Sequence, residues 1–554
     1  MKGPPLAPPA ASTINAALAR AARSRFGLIF VDVHEREQRV SWSELHTRAR
    51  VMAGALLELG VKRGETVAIV LPTGPGFMDA FFGALLAGAI PVPLYPPVRL
   101  GRMEEYARST ARMLEVTRAR CVLSDRRVRL LLGGAIERAR PALGCLLVSE
   151  LMKTGAEAEQ EAAPGELALV QFSSGSTVDP KPVALSHANV MAQVAILKQV
   201  MPGMDAGVDR GVSWLPLYHD MGLIGCLLSA VHWPGDLVLL PPEGFLARPA
   251  LWLRAISKYH GSVSPAPNFA YGVCLKRVRD EELEGVDLGC WQYALNGAEP
   301  VSVSLQRRFS ERFARWGFRE ESLLPVYGLS EASLAVSFSG RGAPARAIEH
   351  DGRALASVGK PVPGTELEIR DGRIFVRGPS VMTGYFANPE ATARTLVDGW
   401  LDTGDLGFSD GGELFVSGRA KDVVIVRGAN HAPQTFEECV DKVAGVRLGC
   451  AVAVGYVPDG QDSEALLLLV EGDGDDLAAR VTAAVAERTS IRPHKVEILA
   501  PGTLPRTSSG KLRRQEALRR YLAGELGPPR PVNALRVGGE VAKSLVSFAK
   551  RRLT

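Results

Sequence analysis

Two short segments, far apart in the chain, each place a lysine on a turn of small hydroxylated residues. They are Phe172-Ser173-Ser174-Gly175-Ser176-Thr177-Val178-Asp179-Pro180-Lys181 and Pro505-Arg506-Thr507-Ser508-Ser509-Gly510-Lys511. Serine, threonine and glycine at a turn offer hydroxyls and closely approachable backbone N–H groups that cradle phosphate oxygens, and lysine adds a mobile positive charge where negative charge develops. A single Ser/Gly turn is common; the pair points to phosphate chemistry. Two carboxylates and an imidazole stand in further polar stretches: Glu331 in Val326-Tyr327-Gly328-Leu329-Ser330-Glu331, Asp405 in Trp400-Leu401-Asp402-Thr403-Gly404-Asp405, and His219 in Leu217-Tyr218-His219-Asp220-Met221-Gly222. Alone, each has an ordinary use, Asp405 as a turn residue, Glu331 as a carboxylate at a helix start and His219 as a loop histidine. Their order along one chain gives them weight together.

These groups need a scaffold, and the chain is long enough for several. Its 554 residues exceed what one hydrophobic core serves, so two or more domains are expected. Apolar residues at 46% and charged residues at 23% match soluble globular proteins rather than fibrous or disordered ones. A net charge of +5 is small for this length and gives no nucleic-acid signature. Seven scattered cysteines without a C-x-x-C pair argue against a metal or redox site and fit a reducing cytoplasm. No signal-peptide core follows the Pro- and Ala-rich start. The most apolar stretch, 80–94, is interrupted by Pro91 and Pro93 and is shorter than the about 20 residues of a membrane span, so it reads as a buried helix leading into a strand.

Helix spacing over 14–25, 51–59 and 77–87 alternates with apolar runs at 28–31 and 67–71, and Gly60 and Gly88 end two of the helices, a pattern of parallel sheet. The arginine-rich region 99–129 reads as the solvated face of one or two helices. Glycines and prolines between Gly359 and Gly378 punctuate a smaller β subdomain, in which 366–370 alternates like a strand exposed on one face. After Gly418-Arg419-Ala420-Lys421-Asp422 a fresh cycle of strands and helices (423–426, 436–443, 450–454, 465–470, 477–487) is large enough for a separate small α/β domain. The expected organisation is therefore an α/β fold. It has a disordered start (1–12), a large domain of mixed and parallel sheets with packed helices and a β subdomain (13–418), a small mobile α/β domain (419–526) and a basic tail (527–554). Residues 540–553 of the tail place Val541, Leu545, Phe548 and Ala549 on one helical face, which suits docking onto an acidic partner or an anionic membrane surface.

Taken in order, the phosphate-loop segment, Leu217 to Gly222, Leu295-Asn296-Gly297-Ala298-Glu299-Pro300, Val326 to Glu331, Trp400 to Asp405, Gly418 to Asp422 and the Lys511 segment resemble the adenylate-forming superfamily over nearly the whole chain. Within it, Pro216-Leu217-Tyr218-His219-Asp220-Met221-Gly222-Leu223-Ile224-Gly225, Leu94-Tyr95-Pro96-Pro97-Val98 and Ile425-Val426-Arg427-Gly428-Ala429-Asn430-His431 are most similar to fatty acyl-AMP ligases. The resemblance implies that ATP and a carboxylic acid form an acyl-adenylate and pyrophosphate, and that the acyl group passes to an acyl carrier protein. It implies Lys511 at the carboxylate and α-phosphate, and Ser173, Ser174, Gly175, Ser176, Thr177 and Lys181 around the pyrophosphate. Glu331, assisted by Thr177, would be the magnesium ligand, and His219 would stand among the catalytic groups. Gly297, Ala298, Glu299 and Tyr327 would form the adenine slot, and Asp405 with Arg419 the ribose site. Lys421 would mark the hinge on which the small domain turns between the two half-reactions.

The sequence departs from the family pattern at Val178 and Pro182, where glycine is usual; valine resists positive φ and proline removes a backbone donor. The inserted segment by which these ligases restrain the small domain could be represented only by the short stretch 339–357. An acyl-CoA synthetase and a non-catalytic adenylate-binding module therefore remain alternatives.

Overall fold

The structure is a computed structural model of the chain, and its described residues are 1–97, 100–173, 181–205, 207–350, 353–426, 429–458, 464–507, 510–529, 538–539 and 544. At the centre of the larger part lies a nine-stranded sheet, whose inner strands Gly27–Val31, Leu237–Leu239, Arg210–Ser213, Gly261–Pro267, Tyr293–Gly297 and Leu323–Gly328 run parallel. Such strands are covered on both faces, which is why Gly27–Val31 and Tyr293–Gly297 are buried along their whole length. A second, four-stranded sheet is entirely parallel: Ile90–Leu94, Thr66–Val70, Cys121–Ser124 and Cys145–Leu147. The stretch read as a buried helix leading into a strand is the helix Pro75–Leu86 followed by Ile90–Leu94, both lying in the core. No described helix is long and apolar enough to cross a membrane.

Strands Leu167–Phe172 and Pro182–Ser186 pair antiparallel, so the first lysine-bearing segment joins two strands, and Ser173 N donates to Lys181 O at 2.9 Å. Residues 174–180, and with them Ser174, Gly175, Ser176, Thr177 and Val178, lie outside the described residues. Pro182 opens its strand, where a missing N–H is tolerated, and its carbonyl accepts from Phe386 N at 2.7 Å. The β-rich region is a five-stranded antiparallel sheet of Glu366–Arg370, Arg373–Arg377, Leu396–Val397, Trp400–Asp410 and Glu413–Arg419.

Beyond it, Val446–Tyr456, Ala465–Gly472 and Lys495–Leu499 form a separate sheet packed with the helices Pro433–Val440, Leu477–Thr489 and Arg514–Leu522, around cores of its own. This smaller unit touches the larger one at named points. Arg102 donates to Gly502 O, Thr503 O and Gly527 O at 3.3, 3.1 and 3.3 Å, Glu105 pairs with Arg520 at 2.5 Å, and Arg353 pairs with Glu438 at 3.3 Å. The arginine-rich stretch is thus not merely a solvated face, because its first turn meets the smaller unit.

The beginning of the chain corrects an expectation. Rather than being disordered, it lies along the β subdomain: the Met1 ammonium donates to Leu367 O at 2.6 Å, Gly3 N to Thr365 O at 2.8 Å, and Gly364 N to Pro4 O at 2.8 Å. Prolines forbid a helix but suit an extended segment laid beside a sheet edge. The helix expected over 540–553 lies outside the described residues except for Ser544, which is buried with its Oγ accepting from Gly133 N at 3.0 Å.

Candidate active site

A cleft of about 2400 Å³ runs between the two units and into the larger one. Ser173, Lys181, His219, Ala298, Glu299, Tyr327, Glu331, Asp405, Arg419, Lys421 and Lys511 all line it. Gly297 sits just behind, buried at the end of its strand, where a Cβ would stand 2.8 Å from Val326 O; only glycine lets these neighbouring strands approach so closely.

In the cleft the Trp400–Asp410 and Glu413–Arg419 strands place Asp405 opposite Arg419 in register. Asp405 accepts from Tyr327 Oη at 2.7 Å on Oδ2 and from Arg419 Nε at 2.8 Å on Oδ1. Burial, with the charge of Asp405, holds the Tyr327 phenol well above its ordinary value, so it stays a donor. The carboxylate in turn holds the Arg419 guanidinium above its ordinary value. Beside this pair Ala298 bends with φ +68, and the Glu299 carboxylate caps the helix Asn268–Arg277 by accepting from Phe269 N. The result is a wall of exposed backbone next to a phenol ring and a charged carboxylate. It suits a flat heterocycle with hydroxyl donors.

Elsewhere in the cleft the short turn Ser330–Ala332 after the Leu323–Gly328 strand presents Glu331, whose Oε1 accepts from Tyr385 Oη at 3.0 Å. Lys181 Nζ stands 3.3 Å from the same hydroxyl. Desolvation raises the Glu331 carboxyl and lowers the Lys181 ammonium relative to their ordinary values, while each charge offsets the shift of the other. Among the described residues no three His, Cys, Asp or Glu side chains gather into a metal-binding group. A hard divalent cation would therefore rest on Glu331 with phosphate oxygens and water, as magnesium commonly does. The donor set fits it: a desolvated carboxylate with spare lone pairs gains from a cation. Thr177, the second expected ligand, lies outside the described residues.

Lys511 enters this cleft from the smaller unit. Its turn is tied by Thr507 N to Lys511 O at 2.8 Å, Gly510 N to Thr507 O at 3.0 Å and Arg506 Nη1 to Gly510 O at 2.7 Å, with Gly510 at φ +92, a backbone region that favours glycine. Burial pulls the Lys511 ammonium below its ordinary value; Asp220, Glu299 and Asp405 oppose that shift and Arg419 adds to it. A lysine from one unit thus stands among three carboxylates of the other. His219 faces it just before the π-helix Met221–Leu228, and desolvation lowers its pKa to about 4, so the imidazole is neutral at physiological pH. Asp220 accepts from Ser330 Oγ at 2.6 Å and Met221 N at 2.7 Å, linking this stretch to the Glu331 turn.

A model of the family described as AMP-binding enzyme matches residues 18–386. The chain belongs to the AMP-binding enzyme family. It is 35% identical over 556 residues to a putative acyl-CoA synthetase of Caulobacter vibrioides, covering 93% of this chain and 96% of that protein. It is 30% identical over 539 residues to the medium-chain-fatty-acid–[acyl-carrier-protein] ligase JamA of Moorena producens, covering 88% and 90%. Among solved structures, a chain from a study of fatty acyl-adenylate ligases from E. coli and L. pneumophila superposes with a TM-score of 0.88 at 32% identity, covering 94% of this chain and 99% of that one. This AMP-binding enzyme is an acid–thiol ligase that adenylates a carboxylic acid, built on the fold expected from its sequence.

The described residues singled out in the sequence converge on the one cleft, with Lys421 at its exposed edge, where Gln515 Nε2 donates to its carbonyl at 3.0 Å. Asp220 and Tyr385 are among the cleft residues that sequence reasoning gave no role. Asp220 stood unassigned inside a quoted motif. Tyr385 stood outside every motif used, and the structure places it in the short buried strand Gly384–Tyr385.

Proposed function

We propose that this enzyme activates a fatty acid as its acyl-AMP, using ATP and magnesium, and then delivers the acyl group to the phosphopantetheine thiol of an acyl carrier protein. The observation that carries this reading is the seat of Lys511. A cation from the smaller unit stands inside a cleft that also offers a ribose-type carboxylate, Asp405, and a phosphate-and-cation pair, Lys181 and Glu331. In the first step a carboxylate oxygen of the acid attacks the α-phosphorus, a P–O bond breaks, and pyrophosphate leaves. Lys511 offsets the charge that the approaching carboxylate brings to the α-phosphate. Asp405 and Tyr327 hold the nucleoside, and Lys181 draws the departing pyrophosphate. Bound magnesium would neutralise phosphate charge, and Glu331 would hold it. His219, neutral, orients rather than carries charge. In the second step the thiol attacks the acyl carbon, AMP leaves with the carboxyl oxygen and the thiol proton passes to solvent.

An apolar branch of the cleft, lined by Leu197, Met201, Val263, Leu295, Val326 and Phe338, supports an aliphatic acid. A carrier protein as acceptor is supported by the likeness to JamA and by the hairpin of Ala347–His350 and Arg353–Ala356, which falls in the stretch expected to restrain the smaller unit and pairs Arg353 with Glu438. A second reading, transfer to coenzyme A, is favoured by the name of the Caulobacter relative. The test is carboxylate-dependent ATP–pyrophosphate exchange with mass spectrometry of adenylates from a mixed acid panel, followed by competition between a holo carrier protein and coenzyme A. Exchange with fatty acids and preferential carrier acylation is expected. Comparable transfer to coenzyme A replaces the carrier reading, and absence of exchange with any acid removes the adenylation reading altogether.

A further inference from the structure

Resting on the reading that magnesium and ATP bind this cleft, we propose that Tyr385 is a positioning residue: its hydroxyl sets the Glu331 carboxylate and the Lys181 ammonium for the metal-bound triphosphate. The hydroxyl donates to Glu331 Oε1 at 3.0 Å and accepts from Lys181 Nζ at 3.3 Å, while the ammonium also lies 4.6 Å from the ring centroid. One side chain, only 5% exposed, thus touches the proposed metal ligand and the proposed pyrophosphate lysine at once.

The backbone around it ties the same two groups. Met382 N donates to Glu331 O at 2.8 Å, Thr383 Oγ1 to Ala184 O at 2.9 Å and Phe386 N to Pro182 O at 2.7 Å. Tyr385 pairs in register with Val183, two residues beyond Lys181, and its own N–H donates to Thr392 Oγ1 at 2.9 Å. Residues 382–386 therefore brace the Glu331 turn against the strand that leaves the phosphate segment. The tyrosine hydroxyl is the point where this brace reaches the charges. Desolvation, with the Glu331 charge beside it, holds the phenol far above its ordinary value, so it remains a donor to the carboxylate. When Lys181 turns to a phosphate oxygen, the hydroxyl still fixes Glu331, and the carboxylate meets the cation without first having to be ordered.

The test is calorimetry of ATP binding to the full chain without carboxylic acid, across a magnesium titration, with AMP as the control because it lacks the β- and γ-phosphates. Tyr385→Phe keeps the ring and removes the hydroxyl. A hydrogen bond to a charged group is worth enough that Mg·ATP should bind roughly tenfold more weakly, with half-saturation displaced to higher magnesium and AMP affinity unchanged. In a double-mutant cycle with Glu331→Gln, the tyrosine change should add little to the glutamate change, since the two act through one contact. Equal weakening of ATP and AMP overturns the proposal in favour of packing alone, as does unchanged Mg·ATP binding or full additivity. Wild-type protein that binds no Mg·ATP overturns the functional reading itself, an outcome distinct from any failure of the variant.

Discussion

Replacing Lys511 by alanine separates the two half-reactions. The ammonium stands near Asp220, Glu299 and Asp405, and Arg419 also acts on it. Without the lysine, an incoming carboxylate would approach Asp220, Glu299 and Asp405 with one nearby cation fewer. Loss of one preorganised charge-stabilising group in a water-poor site costs about 2.7–4 kcal/mol, or roughly 10²- to 10³-fold in rate. Carboxylate-dependent pyrophosphate exchange should therefore fall at least on the order of 100-fold, whereas acyl transfer from synthetic acyl-AMP should stay close to wild type if, as the proposed hinge at Lys421 requires, the smaller unit withdraws this lysine for that step. The pH profile gives a second reading. Burial lowers the ammonium's pKa, so the charged form is complete at low pH and is lost as pH rises through a value below the ordinary 10.5. Exchange should accordingly fall on the alkaline side before free lysine would titrate, and Lys511→Arg, whose charge persists, should lack that limb even at reduced rate. Near-normal exchange by Lys511→Ala, or an alkaline limb retained in Lys511→Arg, would refute the reasoning.

The other groups have their own signatures. Glu331→Gln keeps the size but not the charge, so half-saturation by magnesium should rise roughly tenfold or more, as loss of a charged partner costs about 1.5–3 kcal/mol; an unchanged magnesium titration returns Glu331 to a turn residue. Asp405→Asn should weaken AMP binding by roughly tenfold to a hundredfold, on the same energetic scale, without altering the magnesium dependence, and calorimetry with AMP checks it. Arg102→Met removes three carbonyl contacts to the smaller unit, so it should slow exchange and spare transfer from supplied acyl-AMP, with a larger radius of gyration by small-angle scattering; an unaltered radius and exchange rate refute a latch there.

What the sequence made legible follows from how the chemistry is written along the chain. Glu331 and Lys511 each sit in a short contiguous turn and Asp405 in a short contiguous strand segment, where residue type and neighbours together create the group's use, and such segments can be read without a fold. The same holds for strands buried on both faces, whose apolar runs at 28–31 and 67–71 became Gly27–Val31 and Thr66–Val70. Contacts between distant segments are of another kind. Tyr385 meets Lys181 only because Gly384–Tyr385 pairs with Pro182–Ser186, and Asp220 meets Ser330 only because a π-helix begins beside the Glu331 turn. Nothing in either local sequence encodes the partner. The prolines at the start of the chain illustrate the limit from the other side: they exclude a helix, and so read as disorder, yet the extended shape they impose is the one a sheet edge accepts.

That distinction bears on the site itself. The groups legible in the sequence are those that would touch substrate, and several are held in place by a residue given no role there: Asp220 ties the His219 stretch to the Glu331 turn, Tyr385 stands between Glu331 and Lys181, and Arg506 clamps the loop of Lys511. If the holding residues matter as the geometry implies, replacing an uncharged one should displace binding and metal dependence while leaving the chemistry's pH profile in place, whereas Asp220, whose charge acts on Lys511, should move the alkaline limb when it is replaced. Tyr385→Phe is the clearest case, since it removes one hydroxyl and no charge. A Tyr385→Phe enzyme with an altered alkaline limb would show that the hydroxyl communicates with Lys511, and the separation of the two sets would fail.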